Sequence, residues 1–428
     1  MKQGDEMEIY LRDAIHKMQD ILNTENNILE THGEKVAYIY YHLLVNSGKS
    51  YTIEQLYSYI CLAILHDIGA YKTDTIADLL KFEVKAPHKH AIYGYIFAKH
   101  YLNLPGIEEL FLYHHFTEED FQKLGKEVNL KKEMRLLTLA DRIAVLWDSG
   151  MREYTPAFRE KLKKLFTEKD ITIFEKANTE NEIFENLENG NYYAKVYAFF
   201  GETKINTQVI EKLMEMLGNT VDFKSEYTMF HTITVTSITK VISEKFGFNQ
   251  QEIAKMCYAA SIHDIGKLYT PTSILEKPGK LTSEEYEIMK RHIINGRKIL
   301  DGMIDKDIIM LATTHHERLD GSGYPDGLTA KDLDLKKRIL AVADIVSALR
   351  GVRSYKKEFE KEKIMAILQE EAQKGKIDLE VVQVVTKYYD EMMREVDHSC
   401  QQILDYYKDM EKEYKEIVQE FKQKKMIK

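Results

Sequence analysis

Residues that interrupt regular structure are scarce in this chain: six prolines and twenty-one glycines among 428 residues. That leaves long stretches free to be helical. Cysteine is scarcer still. Cys61, Cys257 and Cys400 stand far apart with no paired spacing, which excludes a disulfide or thiolate-zinc framework and makes a reducing cytoplasm the default expectation. No stretch comes near the roughly eighteen uncharged residues of a membrane span. The charged opening residues Lys2, Asp5, Glu6, Glu8 and Arg12 exclude a secretory signal. Positive charge is also short, with 60 Lys and Arg against 69 Asp and Glu and a net charge of −9. This argues against broad binding to a nucleic-acid polymer or an anionic membrane. A small phosphorylated ligand needs only a few local cations. What the chain does have is length for two or three domains and an ordinary apolar content of 44%.

Apolar positions recur at helical spacing through most of the chain. The first thirty residues read as one amphipathic helix with Ile9, Leu11, Ile15, Met18, Ile21 and Leu22 on a face. His32 comes next, leading a helix with Val36, Ile39, Tyr40 and Leu43. The run Y-I-C-L-A-I-L-H-D-I-G-A spells a buried helix ending at His66-Asp67. His90 then has Gly94 four residues on, His114-His115 follow, and Asp141 sits within L-A-D-R-I-A-V-L. The second half repeats this order with His231, His263-Asp264, His292 (Gly296 four residues on), His315-His316 and Asp344. Successive offsets are 34, 24, 24 and 26 in the first copy and 32, 29, 23 and 28 in the second. Five landmarks in one order with similar gaps indicate an internal duplication of a five-helix unit. The expected fold class is therefore all-α, with residues 1–195 forming one domain plus a helical connector and 196–428 the other plus a C-terminal helix.

Between the copies, residues 151–222 are polar with a helical pattern, and Asn178, Asn181, Asn189, Gly190 and Asn191 are the expected breaks. Leu213, Met216 and Leu217 fit a connecting helix. At the C-terminus Ile403, Tyr407, Met410, Tyr414, Ile417 and Phe421 lie three or four apart. That stripe suits a helix folded back on its own domain, or alternatively a short homodimer seam.

The stretch T-H-H-E-R-L-D-G-S-G-Y-P-D-G-L, residues 314–328, is not a pattern that packing alone produces. Neighbouring helical side chains point about 100° apart, so His315 and His316 converge only near a helix end or across two metals. The second copy offers His231, His263, Asp264, His292, His315, His316 and Asp344 as metal ligands. Imidazole and carboxylate without thiolate suit iron, manganese or a similar first-row ion. So many ligands leave room for substrate only if they share two divalent ions, and Asp264 is the carboxylate able to bridge them. Two such ions would bring the pKa of a bridging water toward neutrality and supply hydroxide for in-line attack on phosphorus. Lys267, one turn beyond Asp264, faces the same side and would stabilise charge growing on the phosphoryl oxygens.

Together, H-D-I-G-K, the spaced His292 and H-H-E-x-x-D-G-x-G-Y-P-x-G-L make residues from about Phe223 to Lys357 resemble an HD-GYP domain, the metal-dependent phosphodiesterases of cyclic dinucleotides. That resemblance implies that the Gly323-Tyr324-Pro325 loop lines the substrate cleft and that Arg353 and Lys356 contact the ligand. Some members carry a glutamate four residues before the first histidine to support a third metal. Here the position is Tyr227, and Glu226 is out of phase, so two metals are expected. Ser354 replaces a proline common in the family's loop.

In the first copy His32, His66, Asp67, His90, His114, His115 and Asp141 match all seven positions. However, Ala70 stands in place of Lys267, Gly150 in place of Arg353, and no glycine turn follows His115. Lys72 is two residues too far along to substitute. A metal centre is expected here, because an abandoned site would shed costly buried polar groups, but hydrolysis of the same substrate is not. The leading reading is a metal-stiffened structural partner, with a regulatory pocket or a different phosphohydrolase as alternatives. For the whole chain the expectation is a cytoplasmic phosphodiesterase that linearises cyclic di-GMP or hybrid cyclic GMP-AMP. The rivals are a non-catalytic dinucleotide sensor and a mononucleotide phosphohydrolase of the broader HD superfamily.

Overall fold

The computed structural model describes residues 9–23, 31–69, 88–102, 107–201, 203–205, 226–275, 277–351 and 359–426. Among them the chain is helical apart from one two-stranded pair, β1 (Ile9–Tyr10) with β2 (Lys204–Ile205). Two compact units emerge. One holds Tyr10–Lys204 together with Asp409–Lys428; the other holds Ile205–Lys408 with the first residues of the chain.

The first copy is built on α2 (His32–Val45), α3 (Ile53–Leu65), α4 (His88–Phe97), α5 (Glu109–Tyr113) and α7 (Lys131–Asp148). Before them lies α1 (Leu11–Asn23); of the helix expected over the first thirty residues, Ile9 and Tyr10 are strand instead. Helix α6 (Glu118–Leu124) is a single capped piece between α5 and α7. From Glu133 to Trp147, α7 is buried on every side, its charged residues Glu133, Arg135, Asp141 and Arg142 each in an ion pair. Helix α2 packs on both α3 and α7.

Residues 156–199 fold as four short helices: α8 (Pro156–Lys163), α9 (Glu168–Asn181), α10 (Ile183–Glu188) and α11 (Asn191–Phe199). They belong to the first unit. Glu182 and Gly190 adopt left-handed conformations that end α9 and open α11. Asn178, expected to be a break, lies inside α9, and its side-chain oxygen accepts from the Phe184 amide at 3.1 Å. The proposed connecting helix at Leu213, Met216 and Leu217 falls outside the described residues.

In the second copy the corresponding helices are α12 (Glu226–Lys245), α13 (Gln250–Ile262), α16 (His292–Leu300), α17 (Lys306–Ala312) and α18 (Leu335–Arg350). Helix α12 packs on α13 and α18 as α2 does on α3 and α7. Even the caps repeat: Thr52 with Gln55 opens α3 and Asn249 with Glu252 opens α13, each a reciprocal capping box. Two further helices, α14 (Thr272–Leu275) and α15 (Ser283–Lys290), fill the longer gap before His292. Helices α19 (Lys361–Gln373) and α20 (Leu379–Gln423) follow, the latter with a non-helical Tyr388.

The end of the chain differs from expectation. Rather than folding back on its own domain, the segment from Asp409 joins the first unit. There Tyr414 stacks on Tyr93 with centroids 4.5 Å apart, and Phe421 packs on His88 and Phe116. The apolar stripe was legible, but its partner was not.

Candidate metal centre

In each copy the H-D pair sits where a buried helix stops and the chain turns. His263 caps α13, Asp264 leads a 3-10 turn over Ile265–Tyr269, and that turn presses against the start of α16. The approach is so close that a Cβ on Gly266 would lie 1.8 Å from the His292 carbonyl oxygen. Gly69 stands likewise 2.1 Å from the His90 carbonyl in the first copy. Only glycine allows backbone to meet backbone there, and the contact brings His292 to Asp264.

Backbone carbonyls orient the imidazoles. His263, His292 and His315 each donate Nδ1–H to the carbonyl three residues back, on Ala260, Met289 and Ala312, at 2.6–2.7 Å. A carbonyl can only accept, so each Nε2 is left as a bare lone pair directed inward. His231 achieves the same state through a side chain: its Nδ1 lies 2.8 Å from Ser347 Oγ, whose hydroxyl can pass its own proton to the His231 carbonyl at 3.3 Å.

These lone pairs surround two carboxylates. Asp264 Oδ2 faces His263 Nε2 at 3.3 Å and His231 Nε2 at 3.6 Å, while Oδ1 faces His292 Nε2 at 3.4 Å and His315 Nε2 at 4.0 Å. Asp344 Oδ1 is 3.2 Å from His231 and Oδ2 is 3.8 Å from His316 Nδ1. The seven side chains named from the sequence are thus brought together, with the two oxygens of Asp264 divided between two nitrogen groups. His231, His263 and Asp264 form one potential ion site; His292, His315 and His316 form another. The buried Nε2 of His263 has no hydrogen-bond partner. Such an orphan is costly unless a cation satisfies it, so the donor set fits metal. Nitrogen and oxygen donors without sulfur fit a first-row divalent ion.

Electrostatics point the same way. Burial opposes ionisation of Asp264, but His263 and Lys267 outweigh it and hold the carboxyl well below its usual range. Burial at His263 is outweighed by Asp264, which raises that ring above its usual value, whereas burial, outweighing the opposing pull of Asp264 and Asp344, pushes His292 down to about 4 and His316 to about 3. His292 and His316 are therefore neutral and ready to ligate at pH 7. Lys267 forms an ion pair with Asp264 Oδ2 and closes the polar cluster on that side.

The loop after His316 roofs one edge. Tyr324 stacks on His316 with centroids 4.8 Å apart, and Lys290 lies 5.6 Å from the Tyr324 ring centroid. Gly323 fits only as glycine, since a Cβ would meet Glu317 Cα at 2.4 Å, and Pro325 follows Tyr324 in the same turn. The buried carboxylate of Glu317 holds the loop by accepting from the Asp326 and Leu328 amides at 2.8 and 2.9 Å. The His316 side chain keeps 23% of its exposure, whereas the corresponding His115 keeps 5%. Ser347 and Lys290 were not singled out from the sequence, and Glu317 was read only as the acid of the H-H-E motif, without a role. Ser347 carries a readable signal, lying one helical turn after Asp344; Lys290 carries none. Arg353, Lys356 and Ser354 lie outside the described residues, as do Ala70 and Lys72 of the first copy. The helix is described at Glu226 and Tyr227, but their side chains are not.

In the first copy His66 and His114 also donate Nδ1 to carbonyls three back, on Ala63 and Phe111, at 2.7 and 2.6 Å. Asp67 Oδ2 lies 3.4 Å from His66, and Oδ1 lies 3.4 Å from His90 and 3.9 Å from His114. Asp141 reaches His32 at 3.3 Å and His115 at 3.7 Å. All seven are again gathered.

Two helical units, each closing an H-D turn against a histidine-bearing helix, define a tandem of HD-type domains, each with a His/Asp cluster that could hold metal. The chain belongs to the HD-domain family: HD-domain profiles match residues 29–146 and 210–381. The second copy adds the GYP loop. Among curated relatives, the "3'3'-cGAMP-specific phosphodiesterase 1" of Vibrio cholerae serotype O1 is 28% identical over 374 residues, covering 83% of this chain and 86% of its own length. The response regulator RpfG of Xanthomonas campestris, a cyclic di-GMP phosphodiesterase, is 36% identical but covers 38% of this chain and 44% of its own length. A Thermotoga maritima cyclic di-GMP phosphodiesterase is 40% identical over 34% of this chain and 40% of its own length. This chain therefore spans less than half of the latter two. A crystal structure of a cyclic GMP-AMP-specific phosphodiesterase of V. cholerae shares the fold, with a TM-score of 0.53, 19% identity and coverage of 90% of this chain and 98% of that one.

Proposed function

We propose that the chain is a metal-dependent phosphodiesterase that linearises a cyclic dinucleotide, cyclic di-GMP or 3′,3′-cyclic GMP-AMP, in its second copy. The observation that carries this reading is the division of Asp264's two oxygens between two groups of bare imidazole nitrogens, beside a partly open edge roofed by Tyr324. His231, His263, Asp264, His292, His315, His316 and Asp344 would hold two divalent ions, iron or manganese. Such a pair supplies an activated water and neutralises phosphoryl charge.

The chain's own residues do the rest. The carbonyls of Ala260, Met289 and Ala312 keep three rings in the ligating tautomer. Lys267, paired with Asp264 at the site, is placed to meet charge developing on a phosphoryl oxygen. The Tyr324 ring offers an aromatic wall for a purine, with Lys290 beside it. Arg353 and Lys356 are assigned to the ligand by family resemblance. Relatives named for 3′3′-cGAMP and relatives named for cyclic di-GMP both match the chain, so both substrates belong in the test.

Full-length protein loaded with Mn²⁺ or Fe²⁺ should convert at least one of the two to its linear form, followed by chromatography. Asp264→Ala should abolish turnover, and Lys267→Ala should lower kcat by roughly 10²–10³-fold. Cleavage of neither dinucleotide overturns the proposal. Binding without cleavage would identify a sensor, and turnover confined to mononucleotides would identify another HD phosphohydrolase.

A further inference from the structure

The two copies part company at the residue after the last aspartate, which is Ile345 in the second copy and Arg142 in the first. Arg142 folds back onto its neighbour, placing Nη2 2.6 Å and Nε 3.0 Å from Asp141 Oδ2. Both side chains are almost sealed, at 6% and 2% exposure. Asp141's other oxygen faces His32 Nε2 at 3.3 Å, and the second nitrogen of that ring faces Asp148 Oδ2 at 3.2 Å. Asp148 is itself held by Lys35 at 2.5 Å. In the second copy the corresponding histidine nitrogen meets the neutral Ser347 hydroxyl instead. A buried carboxylate needs one compensating charge, and for Asp141 a guanidinium already supplies it.

In the other half of the first copy, no guanidinium or ammonium among the described residues pairs with Asp67, although the Arg142 charge reaches His90 and His115. His90 Nε2 lies 3.3 Å from His114 Nε2 and 2.7 Å from His115 Nε2, with Asp67 Oδ1 closing the group. The His114 nitrogen is bare, because its Nδ1 donates to Phe111, and the buried Asp67 Oδ1 receives no hydrogen bond. Three imidazole nitrogens and a carboxylate oxygen gathered at 2.7–3.9 Å make a donor set that could hold a positive ion. Those spacings also bracket the ~3.0–3.5 Å edges of a coordination shell with ~2.1 Å bonds.

We infer that the first copy is a single-ion centre, in which one first-row divalent ion is held by Asp67, His90, His114 and His115 while the Arg142 guanidinium takes the place of a second. His32, His66 and Asp67 also converge, and a two-ion centre would need them to recruit Asp141 away from Arg142. A lone ion in a sealed site lacks the paired geometry that phosphodiester hydrolysis uses. Its role is to clasp the end of α3 to α4 and α5.

The test uses the full-length chain with Asp264→Ala and His292→Ala, so that the second copy is silenced, and reads metal directly. Elemental analysis and Co²⁺ titration, followed by visible ligand-field absorption, should give one equivalent. That equivalent should be lost, with at least ~10-fold weaker binding, on His90→Gln or His114→Ala, and kept on His32→Ala. Replacing Arg142 with the second copy's residue, Arg142→Ile, should raise the count to two. Zero equivalents, two equivalents with Arg142 intact, loss of the ion on His32→Ala, or an unchanged count in Arg142→Ile would each overturn the inference. Fluorescence of Trp147, the single tryptophan of the chain and buried in α7, confirms that each variant stays folded. Because dinucleotide turnover is not measured, the result stands apart from the activity proposed for the second copy.

Discussion

A ligand histidine is only as good as the atom behind it. Three rings of the second copy are held by main-chain carbonyls that no substitution removes, whereas His231 depends on one hydroxyl, Ser347 Oγ at 2.8 Å. Ser347→Ala frees the ring to rotate and to adopt the other tautomer, and should weaken metal binding by about 10–100-fold. Metal-buffered titration checks this; unchanged affinity would mean that packing alone fixes His231. The ligands themselves were legible because histidine and aspartate on apolar helices, twice in one order, have little other explanation. The carbonyl partners were not, since every helix end offers carbonyls and sequence does not mark which one a ring will meet.

A second residue reports through pH. Burial, helped by nearby Lys195, lowers the His42 imidazole to about 4 against an opposing hydrogen bond from Asn181. The folded chain thus keeps this ring neutral where the unfolded chain, with an ordinary value near 6.5, takes up a proton. Between roughly pH 6.5 and 4 the unfolded state binds more protons, so this group makes stability fall as pH falls. Below pH 4 both states are protonated and the contribution levels off. In His42→Gln the slope of unfolding free energy across that window should be shallower by up to about 1.4 kcal/mol per pH unit. Parallel slopes in wild type and variant would remove His42 from the account.

Among elements, the decisive contact is a turn meeting a helix through hydrogen atoms alone. Gly266 lets the 3-10 turn carrying Asp264 rest on the first residues of α16, and Gly69 does the same against α4. With a Cβ 1.8 Å from the His292 carbonyl, Gly266→Ala must push the turn away or shift α16. The cost should reach or exceed the upper end of about 1–3 kcal/mol, and it should be accompanied by loss of bound metal, since Asp264 and His292 separate. Calorimetry with elemental analysis tests both; a lowered Tm with full metal content would reduce Gly266 to ordinary packing. The helices could be anticipated from apolar period and caps. The glycine's role was half visible in the repeated H-D-I-G, but which backbone it approaches depends on a tertiary contact 26 residues away for Gly266 and 21 for Gly69. Asn178 shows the opposite failure, where a residue typical of turns stays in a helix because its side chain caps the Phe184 amide of the next one.

At the scale of the whole molecule, sequence order and structural order diverge. The chain ends as part of the unit built on its first copy: within α20, residues to Lys408 belong to the second unit and those from Asp409 to the first. An amphipathic period states which face of a helix is covered but not by what, so the C-terminal stripe alone could not choose among its own domain, the other domain and a second chain. The structure gives the choice specific anchors: Phe421, 1% exposed against Phe116 and His88, and the Tyr414–Tyr93 stack. Tyr93 lies on the same helix as His90, so these anchors brace the histidine-bearing helix of the first copy. Phe421→Ala should therefore cost about 3–5 kcal/mol and should do so in the first unit. Denaturation followed by Trp147 fluorescence, which reports only that unit, would shift to lower denaturant. Dinucleotide turnover, measured below the shifted transition, would hold at its wild-type rate. If turnover instead fell in step with the Trp147 signal, the two copies would be folding as one cooperative body, and the first would be an obligatory part of the enzyme rather than an independently stable companion.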